Sequence, residues 1–218
     1  MTMIRDLDIK CSACGEMSSQ PILFSTNSIG APDLDLRPPE MQRSTMNTWL
    51  MECPHCGYIS PKLDGELEIS KDFLKTDRYI NCDGLEFEWE LAERFYRYYL
   101  ICNEMNDESG SFYSLLHCAW ICDDVEDVKN ARKMRKMAIA HIDKLIRLDD
   151  EDKDTYLLIK ADLLRRIGEF SQLIEEYKDL ITGDELMDKI VKFQIMKSKE
   201  GDDTCYTVED VKFSMIRK

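Results

Sequence analysis

Apolar side chains recur every three or four positions through most of the chain after residue 85. The first series has the spacing of one buried helical stripe and comprises Phe87, Leu91, Phe95, Tyr98, Cys102 and Met105. Two further series follow the same rule over residues 112–120 and 134–148. Each series places its apolar residues on one face of an α-helix. The pattern therefore predicts consecutive amphipathic helices, with residues 109–111 separating the first helix from the second.

Three more helices are predicted at residues 153–167, 169–181 and 184–199, joined by short connections. Residues 157–181 fit the tetratricopeptide pattern when Gly168 is the glycine between paired helices and Ala161 is the small residue where they cross. Leu173 departs from the pattern, in which alanine is usual at that position. We favour a short tetratricopeptide-like solenoid over a four-helix bundle, on the strength of this one clear unit.

The N-terminal region has a different composition. All six prolines of the chain lie at or before Pro61, which indicates short elements and turns instead of long helices. We expect a small domain with short β-strands at residues 1–65, a polar connection, and a helical domain at residues 78–218. The predicted fold class is therefore mainly α, with a small N-terminal β domain.

The N-terminal region contains two copies of one cysteine motif, Cys11-Ser-Ala-Cys14-Gly and Cys53-Pro-His-Cys56-Gly. In such a knuckle a tight turn brings two thiolates to one cation, and the glycine permits the sharp backbone reversal. Four thiolates complete a tetrahedral shell, which predicts a structural metal site in a zinc-ribbon-like domain. Zinc is the expected ion and iron the alternative, because rubredoxin-type sites use the same knuckles. His55 is expected to be an exposed turn residue, since four thiolates leave no position for it.

The long interval between the knuckles contains charged residues that alternate with apolar residues and prolines. One interpretation makes Arg37 and Arg43 a clamp for a carboxylate or another anion, with Asp35 beside them and Trp49 as an apolar wall. The other interpretation, which we favour, is that these charges bond one another and the local backbone. In that case the residues fix an irregular loop and bind no ligand.

The net charge indicates which partners the protein binds, and the cysteine content and apolar runs indicate where it is located. The formal net charge is −14, so the overall field repels nucleic acid and attracts basic proteins or peptides. Lys129, Arg132, Lys133 and Lys136 share a helical face that could contact phosphate, but such a run is more often a solvated face. Nine cysteines without a secretory signal favour a reducing compartment, and no apolar run approaches the length of a membrane helix. We therefore expect a cytoplasmic protein that binds protein or peptide rather than nucleic acid or membrane.

The other cysteines give no catalytic signature. Cys118 and Cys122 lie four residues apart with His117 beside them, but small thiols commonly fill helix-packing positions. No acid or amide is placed to orient the histidine. The chain also lacks the phosphate-binding, dinucleotide-binding, zinc-protease and serine-hydrolase motifs. An enzyme would need a site assembled from scattered residues, so catalysis is left open, with the balance against it.

Three stretches of the N-terminal region together resemble the signature of a family of uncharacterised bacterial proteins. They are CSACG, then PDLDLRPPEM, then Trp49-Leu-Met-Glu-CPHCGY. Members of that family carry CxxC and CPxCGY knuckles ahead of a helical, tetratricopeptide-like region. The resemblance covers the N-terminal region closely and the helical part in pattern only. It implies this architecture and a bound metal, and it implies no particular reaction.

Three functional hypotheses follow, in order of preference. The first is an interaction or scaffold protein, in which the knuckles form a rigid cap and the helical repeats bind a protein or peptide. The second is an enzyme or small-molecule binder whose site lies at the junction of the two domains and uses Asp35, Arg37 and Arg43. The third is nucleic-acid binding through the zinc ribbon.

Overall fold

Two small antiparallel sheets lie in the N-terminal region, and long helices make up most of the rest. The computed structural model describes residues 1–216, with side chains as far as Ser214. The strands are β1 (Met3–Lys10), β2 (Met17–Ser25), β3 (Met51–Glu52) and β4 (Ile59–Ser60). The α-helices are α1 (Asp77–Ile80), α2 (Glu90–Glu104), α3 (Glu108–Asp124), α4 (Val128–Leu148), α5 (Lys153–Arg166), α6 (Phe170–Tyr177), α7 (Glu185–Lys199) and α8 (Val208–Ile216). Short 3-10 helices cover Arg43–Thr48, Phe73–Lys75 and Cys82–Gly84. This architecture confirms the predicted fold class, mainly α with a small N-terminal strand region.

The strands form two hairpins of very different length. Strands β1 and β2 pair along their whole length, with Ile4 opposite Leu23 and Lys10 opposite Met17. Strands β3 and β4 pair over two residues each. The turn of each hairpin is one of the two cysteine knuckles, so strand pairing sets the direction from which each knuckle approaches the other.

The helices from α2 to α5 pack mainly against their neighbours in sequence, and α5 contacts both α6 and α7. Aspartate side chains cap the starts of α3 and α4. Asp107 accepts a hydrogen bond from the backbone N–H of Gly110 in α3, and Asp127 accepts one from Asn130 in α4. Gly168, with φ of 85°, makes the predicted turn between α5 and α6. Packing between sequence neighbours is typical of helical repeats, while the tetratricopeptide assignment itself stays a prediction.

Residues 109–111 were predicted to separate two helices, and the structure places them inside α3. Gly110 does not end a helix. It is needed because a side chain at this position would have no room. A Cβ atom at Gly110 would clash with the carboxylate of Asp107, which caps α3, and would lie 2.7 Å from the sulfur of Cys102 on α2. Gly110 therefore permits the close approach of α3 to the end of α2.

The last part of the helical region also differs from the prediction. Helix α6 ends at Tyr177, short of the predicted residue 181. Helix α8 was not predicted, although Thr207 followed by an acidic first turn is a helix-start signal. The Thr207 hydroxyl and the Asp210 carboxylate bond each other at 2.7 Å across that first turn.

The apolar interior joins the two regions of the sequence. The larger cluster runs from Cys11 and Cys53 through Ile59 into α2, α3 and α4. The smaller cluster is built mainly by α5, α6, α7 and α8, and it includes Leu34 from the N-terminal loop. The predicted polar connection between the domains contributes buried side chains to the larger cluster, namely Ile69, Phe73 and Leu74. The division at residues 1–65 and 78–218 stays a prediction about units of folding.

Candidate metal centre

The two cysteine motifs fold into the same turn. The backbone N–H of Gly15 donates to the Cys11 carbonyl at 2.8 Å, and that of Gly57 donates to the Cys53 carbonyl at 2.9 Å. The N–H groups of Cys11 and Cys53 each donate at 2.9 Å to the carbonyl five residues later. Gly15 and Gly57 have φ values of 84° and 70°, a region that is strained for residues with a Cβ. Equal spacing in the sequence therefore produces equal geometry.

The sulfur atoms of the two knuckles form one cluster. The Sγ atoms of Cys11, Cys14, Cys53 and Cys56 all lie within 4.8 Å of one another. The shortest contacts cross between knuckles, with Cys11 Sγ 3.7 Å from Cys56 Sγ and Cys14 Sγ 3.6 Å from Cys53 Sγ. Metal–sulfur bonds of about 2.3 Å in a tetrahedron require sulfur–sulfur separations of about 3.8 Å. The cluster has the size of a four-thiolate metal site.

The cluster is buried on one side and reaches solvent on the other. The first cysteine of each knuckle, Cys11 or Cys53, is fully buried, whereas Cys14 is exposed and Cys56 is half-buried. Burial raises the pKa of Cys11 and of Cys56, while the backbone N–H of Glu16 lowers the pKa of Cys14. A bound divalent cation stabilises all four thiolates, so binding releases protons and strengthens as pH rises.

Side chains of the helical region hold the second knuckle in place. The Tyr79 hydroxyl of α1 donates to the Gly57 carbonyl at 2.6 Å. Glu52, the residue before the knuckle, pairs with Arg94 and Arg97 of α2. The Arg97 guanidinium also lies over the Tyr79 ring, 5.6 Å from its centroid. The position of two of the four sulfur atoms therefore depends on α1 and α2.

Hydrogen bonds between the hairpins bring the two knuckles together. The Gln20 side chain on β2 donates to the Glu52 carbonyl on β3 at 3.0 Å. His55 is exposed, as predicted, and its Nε2 lies 3.2 Å from the Met17 carbonyl at the start of β2. The Ser12 N–H donates to the carbonyl of Leu63 at 2.9 Å. These bonds join the two hairpins through protein atoms, next to the sulfur cluster.

Four thiolates form a closed coordination shell. Zinc and iron both accept this donor set, and sulfur ligands favour them over magnesium or calcium. No fifth ligand position is left for water or a substrate, which a catalytic metal requires. The arrangement therefore suits a structural ion that joins two hairpins.

Asp35 and Arg37 lie on the helical region. Asp35 is 1% exposed and accepts a hydrogen bond of 2.7 Å from the indole N–H of Trp120 on α3. Arg37 is also buried, and its guanidinium donates to Asp124 at the end of α3 at 2.5 Å. Neither helical partner could be found from the sequence, because more than eighty residues separate each pair and no local pattern connects them.

Arg43 and Trp49 make their polar contacts inside the loop. Arg43 pairs with Asp33 at 2.7 Å and donates to the Pro38 carbonyl at 2.9 Å. The Trp49 indole donates to the Thr45 hydroxyl at 3.0 Å. Contacts of this kind are expected under the interpretation that we favoured from the sequence, whereas Asp35 and Arg37 also bond α3. A ligand-binding role for Asp35, Arg37, Arg43 and Trp49 stays a prediction.

Three helices share a charged network that no sequence pattern predicts. Arg135 of α4 and Arg166 of α5 both bond Asp123 of α3. Burial by itself raises the pKa of Asp123, but the two guanidiniums outweigh burial and lower it. Arg135 is 1% exposed, which is rare for a charged residue and requires such a partner. The members come from separate helices, so the sequence carries no spacing signal for them.

The two thiols of α3 are packing residues. Cys118 and Cys122 are fully buried, and the Cys118 sulfur contacts the Ala92 carbonyl on α2 at 3.2 Å. Burial raises the pKa of Cys118 well above its usual value, which opposes nucleophilic or metal-binding behaviour. The four-cysteine cluster of the knuckles does not include them.

His117 lies among aromatic rings on the same helix. The ring centroids of Trp49, Phe95, Tyr113 and Trp120 are 4.8 to 6.1 Å from the imidazole centroid. Burial, with a smaller effect of the Arg37 charge, lowers the pKa of His117 to about 3. The imidazole is therefore neutral at physiological pH and packs as an aromatic ring.

The basic residues singled out on α4 are exposed. Lys129, Lys133 and Lys136 face solvent, and Arg132 pairs with Asp203 at 2.5 Å. This agrees with the interpretation of the run as a solvated face. A phosphate-binding role stays a prediction.

Comparisons with protein-family models, with curated proteins and with solved structures give no match for this chain. The family resemblance and the tetratricopeptide pattern therefore rest on the sequence. Within residues 1–216, no helix has both the length and the apolar character that crossing a membrane requires.

Proposed function

We propose that this chain is a zinc-dependent interaction protein. One structural zinc ion joins the N-terminal hairpins, and the helical region binds a protein or peptide. The observation that carries the metal site is the cluster of four Sγ atoms within 4.8 Å, built by two turns of equal geometry. Zinc is preferred to iron because the sequence lacks the aromatic-rich surroundings expected of a small iron site.

A structural ion fits the thin packing of the hairpins. Met3, Ile4 and Leu7 of β1 are each more than 40% exposed, so this ribbon buries little apolar surface. Two-stranded ribbons are marginal without further support, and a metal supplies it in small domains. The ion would hold the knuckle turns against the helical region through the contacts of Tyr79 and Glu52 described above.

Several observations favour an interaction role over the two alternatives. The net charge of −14 opposes nucleic-acid binding through the ribbon and favours basic protein partners. Asp35, Arg37 and Arg43, the residues of the small-molecule alternative, bond Trp120, Asp124 and Asp33. Each of the three residues is thereby engaged by the protein itself, while the buried Nε of Arg37 has no hydrogen-bond partner among the described residues. Nine unpaired thiols favour a reducing compartment such as the cytoplasm.

Metal analysis tests the zinc site. We expect one zinc ion per chain in freshly purified protein, and thiolate-to-metal charge-transfer absorption after substitution with cobalt. The Cys53→Ser, Cys56→Ser variant should contain no zinc, whereas a Cys205→Ser control, which changes an exposed thiol outside the cluster, should retain it. Purified protein without a stoichiometric transition metal would contradict the proposal.

Partner recovery tests the interaction role. Affinity purification should recover the same protein partners repeatedly with the intact chain and lose them with the Cys53→Ser, Cys56→Ser variant. A folded variant that keeps the same partners would show that the knuckles take no part in docking. Salt-sensitive binding to mixed DNA or RNA at low and moderate salt would favour the nucleic-acid alternative instead.

A further inference from the structure

Residues 32–37, with the sequence Pro-Asp-Leu-Asp-Leu-Arg, cross the helical region, and we call this segment the strap. Its main chain bonds the segment that precedes α8. The Leu34 N–H donates to the Tyr206 carbonyl at 2.9 Å, and the Val208 N–H donates to the Pro32 carbonyl at 3.0 Å. Asp33 and Thr207 form an antiparallel bridge between these bonds. Recognition of one segment through the backbone of another is how many proteins bind peptides.

The side chains of the strap are recognised one by one. Leu34 is 3% exposed and belongs to the apolar cluster of α5, α6, α7 and α8. Asp35 bonds the Trp120 indole, and Arg37 pairs with Asp124. Leu36 points outward and is 45% exposed. The surface under the strap, which we call the seat, thus offers an apolar site, a hydrogen-bond donor for an acid and a carboxylate for a base.

The seat holds the Asp35 carboxyl group through a hydrogen bond from a buried donor. Trp120 of α3 provides the hydrogen-bond donor, while Arg135 of α4 and Arg166 of α5 place positive charge near the carboxylate. Burial and the carboxylate of Asp162 of α5 act against ionisation of Asp35 and outweigh these groups. The Nε atom of Arg135 is buried and has no hydrogen-bond partner among the described residues. Buried donors of this kind discriminate strongly between an acidic and an apolar side chain.

The chain on either side of the strap is partly exposed. Residues 27–30 and Glu40 face solvent, residues 31, 38 and 39 are half-buried, and the Ile29 N–H donates to the Glu40 carbonyl at 3.1 Å. The apolar cluster beneath is formed mostly by the helices themselves, with Leu34 as the contribution of the strap. Departure of the strap would therefore remove one side chain from that cluster without breaking a helix.

We propose that the seat is the peptide-binding face of this protein and that the strap occupies it in the absence of a partner. The partner segment has the chemistry of the strap, a leucine followed directly by an acidic residue and then by a basic residue two positions later. A partner binds when the strap leaves, so the open fraction of molecules sets the apparent affinity. This inference rests on the proposed function, in which the helical region binds a protein or peptide.

A fluorescent peptide of residues 30–41 tests the seat by anisotropy. We expect it to bind a Leu34→Ala, Asp35→Ala variant of the full chain at least tenfold more tightly than the wild-type chain, because the altered strap competes poorly. A Leu36→Ala variant is the matched control, since Leu36 lies on the same strap and faces solvent. It should bind the peptide as weakly as the wild type does.

Three further measurements make the result decisive. A peptide carrying the same two alanine changes should not bind any of the chains. The circular dichroism spectrum and the zinc content of each strap variant should match those of the wild type. If the double variant does not fold, Arg37→Ala replaces it, because Asp124, the partner of Arg37, is 40% exposed on its side chain and the apolar contacts remain. A folded variant with either change that binds the peptide no more tightly than the wild type overturns the inference.

The inference and the proposed function fail in distinguishable ways. Partners captured equally by the wild type and by the strap variants would leave the interaction role intact and would show that the seat is not where they bind. Peptide binding that increases as expected, in a protein that captures no cellular partner, would support the seat and count against the interaction role.

Discussion

The indole N–H of Trp120 donates a 2.7 Å hydrogen bond to Oδ2 of Asp35, a residue 85 positions earlier in the chain. Both residues are almost completely buried. Burial, reinforced by the nearby carboxylate of Asp162, raises the pKa of Asp35 to about 6. The bond from Trp120 and the charge of Arg135 act in the opposite direction without cancelling that effect. The strap therefore carries a carboxylate whose ionisation is unfavourable in the folded state.

Asp35→Asn should remove a pH dependence of stability. Because the pKa of Asp35 is about 6 in the folded chain against an ordinary 3.8, the folded state binds the proton more tightly. This contribution to the free energy of unfolding is present below pH 4 and is lost as pH rises to about 6. Relative to the wild type, the variant should gain on the order of 2 kcal/mol between pH 4 and pH 7. Urea unfolding followed by circular dichroism measures the difference, and a constant difference across this range would contradict the assignment.

His117→Phe should remove a dependence of the opposite sign. The pKa of His117 is lowered to about 3, against an ordinary 6.5, so the unfolded chain binds the proton more tightly. Stability is then fully present above pH 6.5 and decreases as pH falls, by up to about 1.4 kcal/mol per pH unit. Phenylalanine fits among the aromatic rings and has no proton to bind. Parallel unfolding profiles for variant and wild type between pH 4 and 7 would show that His117 is not the titrating group.

Glu52→Gln should loosen the second knuckle. The change removes the charge that pairs with Arg94 and Arg97, and Arg97 is mostly buried on its side chain. We expect a loss of about 1–2 kcal/mol in the free energy of unfolding. We also expect faster transfer of zinc to a chromophoric chelator, because the pair holds the turn against α2. Glu66→Gln, at an exposed position, is the control and should change neither measurement. An unchanged rate of zinc transfer in Glu52→Gln would show that this ion pair does not hold the knuckle in place.

Removal of zinc should destabilise the whole chain and not the hairpins alone, because Cys11 and Cys53 belong to the same apolar cluster as α2, α3 and α4. At a free zinc concentration 1,000 times the dissociation constant, binding stabilises a protein by about 4 kcal/mol. Thermal unfolding followed by the helical signal should therefore shift to lower temperature on chelation and recover when zinc is returned. If the unfolding temperature of the helical signal does not change on chelation, the two regions fold independently.

The sequence predicted the knuckle turns and most of the helices, because both are specified by residues close together in the chain. The CxxCG spacing specifies each knuckle turn, because two residues between cysteines and a glycine at positive φ leave one compact backbone path. The three- and four-residue spacing of apolar side chains predicted α2, α3, α4, α5 and α7 closely. Residues 109–111 were misread because a glycine that makes room for a neighbouring helix looks, in sequence, like one that ends a helix. The positions of Cys102 on α2 and of the capping carboxylate of Asp107 distinguish the two.

By itself, then, the sequence determined the mainly α class, the two knuckles and the four cysteines that could share an ion, since all of these depend on contacts between near neighbours in the chain. The tertiary structure alone decided that the sulfur atoms meet, that Asp35 and Arg37 face α3, and that Asp123 pairs with Arg135 and Arg166. Such contacts join residues far apart in the chain, and no repeating pattern in the sequence connects them. Their partners are chosen by how helices pack, and packing depends on the fit of many side chains at once.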